Sequence, residues 1–297
     1  MADRIILLDG GMGRELQRMG APFRQPEWSA LALIEAPDYV GRAHAAFLEA
    51  GADIVTTNSY ALVPFHIGEA RFAREARDLA SLAGRLARQA ADAKAGARVA
   101  GSLPPLFGSY QARLFDAARA QDLLAPLVQG LGPHVDLWLA ETQSAVAEVR
   151  AVRAALGADA RPLWLSFTLE DEAADATTAP RLRGGEAVAA ATTAALELGA
   201  AGLLFNCSQP EVMGPALAAA QGAAGVAPLP LGVYANAFPP QPKNAAANDG
   251  LDELRADLTP ATYLDWARRW VDAGATIVGG CCGIGPDHIR ALAGALR

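Results

Sequence analysis

The sequence predicts an α/β protein, a single (β/α)8 TIM barrel spanning residues 1–297, on three observations. Eight short apolar runs recur along the chain; each is followed by a turn and an amphipathic or alanine-rich stretch of helical length; and the alternation never lapses. An open doubly wound sheet is the alternative, and no GxGxxG turn follows the first run to support it.

The first run, "IILLD" (Ile5–Asp9), is continuously apolar, as expected of a strand covered on both faces. It leads through "GAPFRQPEWSALALIEA", which lengthens the first connection, to the helical stretch "PDYVGRAHAAFLEAG". "DIVTTN" (Asp53–Asn58) precedes "ARFAREARDLASLAGRLARQAADAKAG". "RVAGSL" (Arg98–Leu103) and "DLWLAET" (Asp136–Thr142) are followed by "AQDLLAPLVQGLG" and "SAVAEVRAVRAALG". "PLWLSFT" (Pro162–Thr168) leads to "GEAVAAATTAALELG", and "GLLFNCS" (Gly202–Ser208) to "PEVMGPALAAAQGA". The last two runs, "LGVYANA" (Leu231–Ala237) and "TIVGGCC" (Thr276–Cys282), feed "TPATYLDWARRWVDAG" and "GPDHIRALAGAL". Several helical stretches close on glycine, a common helix terminator. The segment from Phe238 to Leu258 is a long Pro/Asn/Asp-rich loop after the seventh run. In a barrel it lies at the catalytic rim, where long loops are often functional.

With 297 residues, 52% of them hydrophobic, the chain can bury a large core. Its net charge is −7 and it has no dense Lys/Arg run, which argues against nucleic acid or an anionic membrane as partner. No signal-peptide pattern opens the chain, and no apolar stretch reaches the roughly 18–20 residues of a membrane span. Three cysteines cannot all pair within one chain, so a reducing, cytoplasmic setting is expected.

Catalytic groups of such barrels lie at the C-terminal ends of the strands. Cys207 ends the sixth run, and Cys281 and Cys282 end the eighth, so all three thiols converge on one rim. Three convergent thiolates suit a soft tetrahedral metal, zinc (Zn2+) by default, with a fourth position left for a reactant. Gly279, Gly280 and Gly283 would let the backbone turn so that the vicinal thiols face one ion. Asp9 ends the first run and Glu141 the fourth; carboxylates there suit a cationic group such as an ammonium. "TTNSY" adds the hydroxyl of Thr57 and the ring of Tyr60, while Asn206 would point away from the site in a regular strand. Of the four histidines, His66 is the one expected near the rim; His44, His134 and His288 are not expected to be ligands.

The segments "DGGMG", "TTNSY", "ETQ", "NCS" and "GGCCGIGPDHI" together resemble the zinc-dependent homocysteine S-methyltransferases, from Ile5 to about Leu296. That family includes S-methylmethionine- and betaine-using enzymes and the homocysteine-binding module of cobalamin-dependent methionine synthase. The resemblance implies the barrel fold, zinc held by Cys207, Cys281 and Cys282, and homocysteine as methyl acceptor. It further implies that Asp9 and Glu141 hold the amino group. The amides of Gly10 and Gly11 are assigned to the substrate carboxylate, with Thr57 and Asn206 as further substrate contacts. The chain departs from the family in "GSLPPLFGSYQARLF" (Gly101–Phe115), where a "GPYG"-like turn is expected, so the methyl donor is the open point.

A free thiol has a pKa near 8.5, and coordination to zinc deprotonates it. The homocysteine thiolate would then attack a methyl group in line, with no protein nucleophile required. An onium donor carries its own leaving group, and Tyr60, Phe107, Tyr110 and Phe238 are the aromatic candidates to hold its charge. S-methylmethionine is the expected donor, with S-adenosylmethionine, betaine or a dimethylated sulfonium acid as alternatives. A zinc hydrolase and a thiol-based zinc or redox sensor are the readings from other classes.

Overall fold

The computed structural model describes residues 4–172, 179–242, 245, 248, 250 and 253–297. Each apolar run supplies a strand: β1 (Ile6–Leu7), β2 (Ile54–Thr56), β3 (Arg98–Leu103), β4 (Leu137–Gln143), β5 (Leu163–Phe167), β6 (Gly202–Asn206), β7 (Leu231–Tyr234) and β8 (Ile277–Val278). All neighbours pair in parallel, in the order β1-β8-β7-β6-β5-β4-β3-β2. A parallel bridge between Leu8 and Ile54, with the Asp53 amide donating to Leu7 O at 2.7 Å, joins the two ends of the sheet and closes the barrel.

The continuous apolar character follows from burial on both faces. Leu8, Ile54, Leu137, Leu139, Trp164 and Leu204 fill the barrel interior. Alternate residues such as Val55, Trp138, Leu165 and Phe205 face the surrounding helices. The expected helical stretches form the helices Pro37–Ala50, Glu69–Asp92, Ala117–Leu131, Val146–Leu156, Val188–Glu197, Pro210–Ala224, Pro260–Asp272 and Pro286–Ala295. Four of them start on proline, which lacks the amide hydrogen that a first-turn residue cannot use within the helix. The lengthened first connection adds the short helices Met12–Arg18 and Ser29–Glu35. No helix among the described residues is long and apolar enough to cross a membrane.

Candidate active site

At the C-terminal ends of the strands lies a cavity of about 560 Å³, a volume suited to a small-molecule site. Asp9, Gly10, Gly11, Thr57, Tyr60, Tyr110, Glu141, Cys207, Cys281 and Cys282 all line it. Two predicted contacts do not. Asn206 is buried behind the wall, and Phe107 lies in a separate cleft, packed edge-on against Phe115 with ring centroids 6.0 Å apart.

The three thiol sulfurs lie within 4.8 Å of one another. Tetrahedral zinc with Zn–S bonds near 2.3 Å spaces its sulfurs at about 3.8 Å, so the group can hold such an ion with small side-chain adjustment. Cys207 follows directly on β6 and adopts φ 52°, which turns its side chain into the cavity. Cys281 and Cys282 lie beyond β8 in a turn closed by the Ile284 amide on Cys281 O at 3.0 Å. The glycines around them do two jobs. Gly283, at φ 85°, makes the turn. Gly280 instead permits close packing, since a Cβ there would stand 2.2 Å from Ile284 Cγ2. Gly11 faces the same turn, and its Cβ would meet Cys281 O at 2.5 Å. Hydrogen bonds from Cys281, Cys282, Tyr110 and Asn236 pull the Cys207 thiol well below its ordinary pKa, while the sharing pushes the other two above it.

Both carboxyls at the cavity wall are buried and, among the described residues, neither has an ion-pair partner. Asp9 accepts hydrogen bonds from the Thr56 amide at 2.7 Å and the Thr56 hydroxyl at 3.1 Å. Burial nevertheless raises its pKa to about 7. Glu141 accepts the Ser102 hydroxyl and is raised to about 8, by burial first and then by the nearby charges of Asp9 and Cys207. Two buried acids with raised pKa values and no ion-pair partner among the described residues suit a positive group.

Glu141 reaches the cavity through an irregularity. The β4–β5 register shifts between Ala140 and Gln143, and Thr142 adopts φ 57°. Asn206 holds this bulge: its Oδ1 accepts the Thr142 amide at 2.9 Å and the Ser166 hydroxyl at 2.8 Å, and its Nδ2 donates to Thr142 Oγ1 at 2.8 Å. Asn206 thus supports Glu141 from outside the cavity, which corrects the expectation that it touches substrate. The Gly11 amide is also engaged, donating to Ile284 O at 2.9 Å, so it is not the carboxylate donor expected from the sequence.

Thr57 shares a hydrogen bond with Ser59 at 2.8 Å and accepts the Ser102 amide at 3.0 Å, which ties together the ends of β2 and β3, whose Thr56 and Ser102 donate to the two acids. The Tyr60 hydroxyl is tied to Ser109 at 2.5 Å. Tyr110 donates to Cys207 Sγ at 3.1 Å and carries the Arg183 guanidinium over its ring at 4.6 Å. It is therefore a partner of the thiol and not an open aromatic wall. Phe238 lines the cavity with Arg14 over its ring at 5.6 Å. His66 also lines it, and burial lowers its pKa to about 4, leaving a neutral ring fixed by Pro26 O at 2.9 Å. Residues 243, 244, 246, 247, 249, 251 and 252 of the long Phe238–Leu258 loop lie outside the described residues.

Sequence reasoning missed Trp28, whose ring lines the cavity and whose indole donates to Asn248 Oδ1 at 2.7 Å. The signal was its position in the lengthened first connection. Trp28, Tyr110, Thr142 and Cys207 are the non-glycine residues with positive φ among the described residues, and all four line this one cavity. Such backbone strain collects at functional sites.

The homocysteine S-methyltransferase family model matches residues 6–296. The homocysteine S-methyltransferase of Escherichia coli is 32% identical over 308 residues, covering 97% of this chain and 94% of that one. A selenocysteine methyltransferase of Astragalus bisulcatus is 28% identical, covering 98% of this chain and 92% of its own. The metallated crystal structure of the E. coli homocysteine methyltransferase MmuM superposes with a TM-score of 0.77 at 28% identity, covering 99% of this chain and 96% of that one. With its family match, its barrel and its rim of three thiols and two carboxyls, the chain belongs to the homocysteine S-methyltransferase family.

Proposed function

We propose that this chain, as a single domain in the reducing cytoplasm, transfers a methyl group from an onium donor to the thiol of homocysteine, giving methionine, and that it does so with zinc. The observation that carries the reading is the meeting of three thiols and two unpaired buried carboxyls in one cavity. Cys207, Cys281 and Cys282 would hold the ion. Bound there, zinc supplies a fourth ligand position at which a thiol loses its proton near neutral pH.

The chain's own residues do the rest. Asp9 and Glu141 ionise against the substrate ammonium, and this fixes the distance of the substrate sulfur from the three cysteines. Trp28 and Tyr60 line the cavity, and their ring faces would hold a cationic donor by cation–π attraction, each contact worth about 0.5–2 kcal/mol. As the new S–CH3 bond forms, the bond from the methyl to the donor's onium atom breaks and its electron pair stays with the donor. The donor leaves neutral, so the attraction that held it is lost on release. S-methylmethionine is the donor we favour: its leaving group is itself methionine, a product of the size of the acceptor.

The test is methionine formation from homocysteine with S-methylmethionine, S-adenosylmethionine, betaine and a dimethylated sulfonium acid, on protein of measured metal content. We expect S-methylmethionine to give the highest kcat/KM, and activity to track zinc through chelation and reconstitution. Turnover by metal-stripped protein would reject the zinc reading; a preference for another donor would reject only the donor.

A further inference from the structure

Behind Tyr110 lies an ion pair that the reaction as described does not use. Arg183 and Asp171 pair at 2.9 Å, with their side chains 1% and 0% exposed. An antiparallel bridge between Leu169 and Leu182 brings the two together. Asp171 also accepts the amides of Gln209 at 3.2 Å and Gln241 at 3.1 Å. Arg183 Nη1 donates to Gln241 O at 3.1 Å and Pro242 O at 3.4 Å, at the start of the loop that walls the cavity. A fully buried ion pair gains little over apolar residues of the same volume, so stability alone does not account for it. What it does here is occupy the face of Tyr110, 4.6 Å from the ring centroid.

We propose that Arg183 is a positioning residue that, through Tyr110, sets the hydrogen bond received by the sulfur of Cys207. Tyr110 sits at φ 69°, a backbone region a bulky residue holds only when its surroundings enforce it. The stacked guanidinium enforces it, and its positive charge draws electron density from the ring and makes the phenol a stronger donor. That hydroxyl lies 3.1 Å from Cys207 Sγ and 3.3 Å from Cys207 O. A hydrogen bond to a ligating thiolate lowers its electron donation, as outer partners tune other metal sites. One guanidinium thereby couples the loop at Gln241 and Pro242 to the charge on one of the three sulfurs.

The inference rests on metal binding by the three cysteines. The full chain is stripped, loaded with Co2+ alone, and its sulfur-to-cobalt charge-transfer band recorded. Tyr110→Phe keeps the ring and the stack and removes the donor; the band should move to longer wavelength, because the thiolate donates more strongly. The double variant Arg183→Gln/Asp171→Asn keeps a neutral, hydrogen-bonding pair so that the chain folds, and should move the band the same way by less. Added to Tyr110→Phe, that double change should move the band no further. An unmoved band in Tyr110→Phe or in the double variant overturns the inference. So does a shift from the double change that persists without the phenol. A wild-type chain that takes up no cobalt would overturn the metal reading itself, and this inference with it.

Discussion

The two ends of the barrel treat the same functional group in opposite ways. At the N-terminal end, Asp53, Asp136 and Asp159 each stand shortly before a strand and each meets an arginine. Asp53 binds Arg4 at 2.8 Å and Arg297 at 2.7 Å, Asp136 binds Arg88 at 2.8 Å, and Asp159 binds Arg161 at 2.5 Å. Backbone amides complete all three, from Leu7 at 2.9 Å, Val99 at 2.7 Å and Arg161 at 3.0 Å. The Arg161 side chain holds the Asp159 carboxyl well below the usual carboxylate range. At the C-terminal end Asp9 and Glu141 receive only hydroxyl and amide donors, and their pKa values rise to about 7 and about 8. The three acids at one end fasten strands; Asp9 and Glu141 at the other have no ion-pair partner among the described residues.

The largest expected effect lies at the thiols. Cys281→Ser should lower metal content and methyl transfer by more than the roughly 10–100-fold that loss of an outer partner costs, with the far-ultraviolet circular dichroism unchanged. Retained metal and activity would remove Cys281 from the site.

The contrast between the ends is tested by one substitution at each. Asp9→Asn should weaken homocysteine binding by about 10-fold or more, the scale of a hydrogen bond to a charged group, and leave thermal stability unchanged or raised. Asp159→Asn should do the reverse, lowering stability by on the order of 1.5 kcal/mol while KM holds. Calorimetry and steady-state kinetics on both proteins decide it. Equal losses of stability would mean the two carboxyls do the same job.

The pH dependence sharpens the same point. A carboxyl whose pKa is raised on folding keeps its proton to higher pH when folded, so its burial lowers stability as pH climbs from the unfolded value through the folded one. For Asp9 and Glu141 that window runs from the ordinary carboxylate range up to about 7 and about 8. An ammonium ligand favours the ionised form and should bind better across the upper part of that window. Methionine carries the ammonium without a thiol, which separates this effect from deprotonation of sulfur. Its affinity should rise with pH below these values by up to roughly tenfold per unit for each carboxyl, and Glu141→Gln should flatten the curve. A flat curve for the parent protein would mean that the acids are already ionised.

The smallest effect should come from Phe107→Leu. Its ring packs on Phe115 in a cleft away from the cavity, so donor KM should not change. A raised KM would bring Phe107 back to the donor wall.

All eight strands were legible because burial on both faces writes itself as largely apolar runs such as "GLLF". The three thiols and two acids were legible because each ends such a run, and barrel topology brings run ends to one rim. What was not legible depends on departures from regularity. The bulge at Glu141 and Thr142 breaks the period-two rule, and nothing in "LWLAETQ" marks Asn206, 64 residues away, as its support. The engagement of the Gly11 amide by Ile284 needs the closed barrel. Phe107 and Tyr110, three residues apart in one loop, part company because Gly108 at φ 118° turns the chain between them.

The four left-handed residues around the cavity also bear on the order in which the molecule assembles. They come from three connections and the end of β4, at positions 28, 110, 207 and 142, and a non-glycine residue holds that conformation only once its neighbours are in place. The pocket should therefore set last, after the sheet beneath it, and open first. Native-state amide exchange would register this as earlier loss of protection at Thr142, whose amide is held by Asn206, than at Leu204 in the strand below. Equal protection at both would mean that rim and sheet come apart as one cooperative unit.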